Sequence, residues 1–99
     1  MSYIVLNKKG KKNFTDVTLH PGEVLMMELE ARGIKKSAFA AQIQMKPSHL
    51  SELLHGKRNV SAATALKLEK LLDIDAEYWM RVQVYHDLFI ERSKNSRAA

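Results

Sequence analysis

A run of short polar side chains bracketed by cations occupies the middle of this chain. From Lys46 to Arg58 it reads Lys-Pro-Ser-His-Leu-Ser-Glu-Leu-Leu-His-Gly-Lys-Arg. At helical spacing Leu50, Leu53 and Leu54 fall on one side, leaving Lys46, Pro47, Ser48, His49, Ser51, Glu52 and His55 along the outer edge. Serine and histidine both donate and accept hydrogen bonds, and short side chains let a helix approach a partner closely. That combination suits hydrogen bonding to base edges in the major groove of DNA. Lys57 and Arg58, just past the helix end, suit phosphate oxygens, a role compatible with a second one, favouring the negative end of the helix dipole. Glu52 is the exception: beside DNA it repels phosphate unless it accepts from a cytosine amino group.

Such an edge needs elements to hold it. A helix is predicted from about Lys36 to Ile43 and another from about Pro47 to His55, joined by a tight turn at Gln44-Met45. Two helices of this size crossing over a short turn form a helix-turn-helix unit. Their shared core is predicted from Phe39, Ile43, Met45, Leu50, Leu53 and Leu54, with the small Ala40 where the helices come closest. A preceding helix starts at Pro21, with Glu23 in its first turn, and stops at Gly33. A following helix runs from Ala62 to Leu72 with Ser61 as N-cap and Ala65, Leu68, Leu71 and Leu72 at core spacing. Asp75 caps a fifth, from about Ala76 to near Ser93. The expected architecture is therefore all-α: a five-helix helix-turn-helix domain over residues 20–93, an N-terminal arm over 1–19 and a frayed tail over 94–99. The arm, with β-prone Tyr3–Leu6 and Phe14–Leu19 around a lysine-rich loop, is expected to be flexible or a small hairpin.

Charge supports a polyanion partner. Residues 32–58 hold Arg32, Lys35, Lys36, Lys46, Lys57 and Arg58 against Glu52 alone, which accounts for the whole net charge of +5. Confinement of the excess to one segment favours a nucleic-acid footprint over a diffusely solvated surface. With 45% apolar and 27% charged residues the chain has the make-up of one globular domain. No apolar run reaches the ~20 residues that span a bilayer, and the N-terminus lacks the core of a signal peptide. A cytoplasmic protein is expected. Without cysteine there is no thiolate nucleophile or thiolate metal site. The four histidines, His20, His49, His55 and His86, lack ligand spacing, and no metal or other cofactor is expected. No catalytic motif and no convergent pair of carboxylates is present, which argues against an enzyme.

The fifth helix carries two apolar stripes. Tyr78, Val82, Tyr85 and Phe89 form one, and Met80, Val84 and Leu88 another. Packing on its own domain requires one stripe. The second suggests a partner, most economically a second copy of the chain on a two-fold axis, with Met80, Val84 and Leu88 as dimerisation residues. Trp79 is expected to anchor this helix to the core.

The helix pair resembles the phage-repressor-like helix-turn-helix class known as XRE. On that resemblance Ala40 takes the small-residue position, and Leu50 and Leu53 the core positions of the second helix. Pro47, Ser48 and Ser51 match positions facing base edges, and Lys36 and His55 positions touching phosphate; Ser37 joins this candidate DNA-contacting set. Two departures stand out. Gln44 occupies a turn position where glycine is frequent, and must tolerate a left-handed backbone or shape the turn differently. Pro47 replaces a longer polar residue, so base readout leans on Ser48, His49 and Ser51. Beyond the pair, Leu19-His-Pro-Gly-Glu-Val-Leu25, Leu54-His-Gly-Lys-Arg-Asn-Val60 and Asp75-Ala-Glu-Tyr-Trp-Met80 resemble, in order, motifs of the HigA antitoxin family. The resemblance implies a RelE-like, mRNA-cleaving HigB toxin as partner, repression of the protein's own operon and homodimerisation. Two other readings stay open on the sequence: a stand-alone XRE-type transcriptional regulator without a toxin, and an adaptor that has lost DNA binding.

Overall fold

The computed structural model describes residues 19–98, with side chains through Asn95. The predicted arm segments Tyr3–Leu6 and Phe14–Thr18 lie outside the described residues. Five helices follow one another: α1 Pro21–Arg32, α2 Lys36–Ile43, α3 Pro47–Leu54, α4 Ala62–Leu72 and α5 Ala76–Ala98. Among the described residues there is no strand. The helix α5 continues to Ala98 instead of ending near Ser93. Nothing between Glu91 and Ala98 is a helix breaker, and Lys94 reaches back one turn to Glu91 (Nζ to Oε2, 3.3 Å).

The helix ends are set by local chemistry. Pro21 occupies the start of α1, and His20 ahead of it completes a capping box. Its Nδ1 accepts from the Gly22 N–H at 2.9 Å while the Glu23 carboxylate accepts from the His20 N–H at 2.8 Å. Gly33 ends α1 with a left-handed φ of 67°. Gln44 ends α2 in the same region, at φ 58° and ψ 51°, with the Met45 N–H closing on the Ala40 carbonyl at 2.9 Å. The turn thus keeps the shape usually given to glycine, and Gln44 carries the steric cost. Ser61 caps α4 by accepting from the Thr64 N–H.

One core joins all five helices: Leu25, Leu29, Phe39, Ile43, Leu50, Leu53, Leu68, Leu72, Trp79 and Val82 are each almost fully buried. Leu19 and Met45 pack against its margin, while Leu71, predicted to face inward, is exposed. Contact is broadest between α4 and α5, and α3 is wedged between α1 and α2. The Trp79 side chain has no exposure, as expected of an anchor.

Polar ties across the core come from residues with no local signal. Arg32 pairs with Glu28 (Nε to Oε1, 3.0 Å) and donates from Nη2 to the Leu72 carbonyl at 2.8 Å, pinning the end of α1 to the end of α4. The buried Gln83 on α5 accepts from the Val60 N–H at 2.8 Å and donates to Asp87 at 3.0 Å. Gln83→Ala strands that buried N–H and should cost about 1–3 kcal/mol in urea unfolding. A change below about 0.5 kcal/mol would mean that Val60 finds water or another acceptor.

Candidate nucleic-acid interface

Burial divides α3 cleanly. Leu50, Leu53 and Leu54 face the core, whereas Pro47, Ser48, Ser51 and Glu52 are exposed and His49 is half-buried. Lys46 before the helix and His55, Lys57 and Arg58 after it are exposed as well. The outer edge is therefore open along its whole length. The start of α2 closes one side of it: Lys36 and Ser37 share a shallow groove of about 260 Å³ with Pro47, Leu50, Ser51 and Leu54. All eleven sequence-predicted DNA residues thus lie on or beside α3, ten of them exposed and His49 half-buried. The N-cap residue of α2, Lys35, makes no side-chain cap, so the first amides of that helix are not taken by a capping side chain. Unclaimed amides at a helix start favour phosphate oxygens.

Within this surface the structure adds two contacts that sequence spacing did not reveal. His55 Nδ1 lies 2.7 Å from the Ser51 carbonyl. A carbonyl only accepts, so Nδ1 carries the proton and the neutral ring offers Nε2 as an acceptor. Donation from His55 to a phosphate therefore requires the charged ring. Glu52 Oε1 accepts from Arg58 at Nη2 (2.6 Å) and Nε (3.2 Å). Both partners are about half exposed, at 46% and 49%, so the pair adds at most about 1 kcal/mol to stability. Its effect is on charge: Glu52 occupies the guanidinium that would otherwise face phosphate. Glu52→Ala should leave stability nearly unchanged. It should raise affinity for any duplex several-fold and steepen the salt dependence by about one unit per half-site. Unchanged binding to a random duplex would contradict this role.

The basic segment is not uniformly a surface for DNA. Arg32 is occupied by Glu28 and the Leu72 carbonyl and serves the fold. The residues left for an anion are Lys35, Lys36, Lys46 and Lys57, with Arg58 shared with Glu52, and they lie at the ends of α2 and α3.

The arrangement is an exposed helix braced by a second across a tight left-handed turn, with cations at both ends. A family model described as helix-turn-helix matches residues 25–79. The chain belongs to the helix-turn-helix family. This helix-turn-helix protein is 35% identical over 80 residues to virulence-associated protein I of Dichelobacter nodosus, a match spanning 79% of this chain and 74% of the relative. Its fold is that of HigA antitoxins. It superposes on a HigA-family addiction-module antidote protein from Coxiella burnetii with a TM-score of 0.74 at 27% identity, over 81% of this chain and 88% of that one. The antitoxin HigA of Pseudomonas aeruginosa, solved with the higBA promoter, gives a TM-score of 0.76 at 26% identity, over 83% of this chain and 90% of that one.

The second stripe of α5 is only partly available to a partner. Met80 is half-buried and packs against its own core, whereas Val84 and Leu88 are exposed at 47% and 39%. Sequence periodicity grouped the three because it cannot show which turn of a long helix leaves the domain.

Proposed function

We propose that this helix-turn-helix protein is the antitoxin of a type II toxin–antitoxin pair. It represses its own operon as a homodimer and neutralises a RelE-like HigB toxin. The observation that carries the reading is the open edge of α3 between Lys46 and Arg58, in a fold shared with an antitoxin solved on its promoter. In this reading each α3 enters the major groove, on half-sites about 34–36 Å apart. Lys36, Ser37, Lys46, His55, Lys57 and Arg58 hold the register on phosphates. Ser48, His49 and Ser51 contact base edges, and Pro47 lets the start of α3 approach closely. Glu52 tempers the charge through Arg58. The exposed Val84 and Leu88 of α5, with Met80 at the edge of the subunit core, form the two-fold contact.

A gel shift with the region upstream of the protein's own gene tests the DNA half. A retarded band competed by the same duplex, and not by a scrambled one, is expected. The toxin half is tested by purifying the tagged chain with its neighbouring reading frame. A small basic protein should co-purify, and its expression alone should arrest growth. Operator binding with no co-purifying toxin would leave a stand-alone transcriptional regulator.

A further inference from the structure

The His20 ring does more than cap α1. It is almost fully buried, meets the His86 ring of α5 edge-on at 4.9 Å between centroids, and lies against Gly56 at the end of α3. A Cβ built on Gly56 would touch His20 Cγ at 3.6 Å. Gly56 sits at φ +76° and leads directly into Lys57 and Arg58. Its N–H returns to the Leu53 carbonyl at 3.1 Å and that of Lys57 to the Glu52 carbonyl at 2.8 Å. The imidazole is therefore a wedge between the dimerisation helix of our reading and the hinge that carries two of its phosphate-facing cations.

We propose that His20 is a positioning residue of the operator-binding surface, and that a second proton on its ring frees the Gly56 hinge and weakens DNA binding. The inference rests on the DNA-binding reading above. The atom-level reason is exclusivity. Nδ1 holds the Gly22 N–H with its lone pair, so the neutral ring bears its proton on Nε2. A second proton can enter only at Nδ1, where it removes the cap. The ring then faces the N–H it formerly accepted and must leave its seat.

The groups around this seat set the balance. Glu23 on α1 and Asp87 on α5 favour a charged ring, whereas His86 opposes it. His55 lines the same cavity of about 390 Å³. The Asn59 side chain also favours charge, yet Nε2 has no partner in bonding geometry. Burial outweighs these and holds His20 below the usual histidine value. The sign follows: the unfolded chain takes up this proton first, so the contribution of neutral His20 is complete above about pH 6.5. It is lost as pH falls from there through the lower folded value.

His20→Asn keeps an N-cap acceptor but cannot titrate. Operator affinity of both proteins, each compared with itself at about pH 7.5 and about pH 5.5, reads the effect. The parent should lose about threefold, short of the tenfold that one unit of differential proton affinity gives only below both titrations, and His20→Asn clearly less. The imidazole carbon resonances of His20 in the parent give a second reading, independent of whether the variant folds. By reciprocity its pKa should fall when operator is added, whereas a purely structural histidine would titrate identically free and bound. A His20 pKa unmoved by DNA, or equal acid responses in the two proteins, overturns the proposal alone. A parent that binds no operator at neutral pH overturns the DNA-binding reading and takes this inference with it.

Discussion

Gly22→Ala should cost about 3 kcal/mol or more, among the most damaging single methyl additions available to this chain. A Cβ at Gly22 would lie 1.7 Å from the Leu53 carbonyl oxygen and 2.8 Å from its carbon. Both are backbone atoms, so no rotamer change relieves the overlap. The start of α1 must retreat from the end of α3, pulling the His20 cap away from Gly22 and Gly56. Against a total stability of about 5–15 kcal/mol, such a loss removes a large part of the folded population's margin. Trp79 is the single tryptophan and has no exposure, so its emission reports unfolding in urea directly. Gly33→Ala is the control: the space around it is open, and only its left-handed φ of 67° resists a side chain, at about 1–2 kcal/mol. Equal losses at the two positions would show that α1 and α3 are not in the described contact.

The double variant Lys57→Ala/Arg58→Ala should have the largest effect on binding. Each phosphate contact contributes about 0.9 to the slope of log affinity against log salt. In the proposed dimer each half-site loses the free Lys57 contact and a partial one from Arg58, already paired with Glu52, which lowers the slope by about two to three units. At about 0.15 M salt the affinity should fall by tens- to hundreds-fold, for operator and random duplex alike. The single variants should not be equal. Lys57→Ala removes one free cation, whereas Arg58→Ala also leaves the Glu52 carboxylate unpaired beside DNA. The arginine variant is therefore expected to be the weaker binder. Titrations at four salt concentrations measure both quantities, and an unchanged slope would remove these residues from the phosphate contacts.

Where a residue speaks through its immediate neighbours, the chain was readable. Pro21 and Pro47 start helices, Gly33 stops one and Ser61 caps one because each acts on backbone groups within a turn of itself. The apolar face of α3 was equally plain, since Leu50, Leu53 and Leu54 recur at the helical period and are buried. Long-range pairing left no such trace. Arg32 counts as a DNA-facing cation in any tally of charge, yet the Leu72 carbonyl forty residues away holds it in the fold. Glu52 meets Arg58 only because the chain turns back at Gly56. His20 and His86 are far apart in sequence and share no helical face, so their contact could not be foreseen. Leu71 has the spacing of a core residue but sits at the margin of the α4 stripe, where the helix has already turned toward solvent. Gln44 is the intermediate case. The family resemblance, with glycine frequent at this position, called for a left-handed residue or a turn of another shape, and the structure shows glutamine adopting the left-handed one.

The central claim is that the open edge of α3 lies against a DNA duplex. Backbone amide shifts of the labelled protein, recorded while operator is added, test it most directly. Ser48, His49, Ser51, Lys57 and Arg58 should move most, together with Lys36 and Ser37, while the exposed Leu66 on α4 stays still. Large shifts confined to other faces, with the α3 edge unperturbed at saturating operator, would contradict the account.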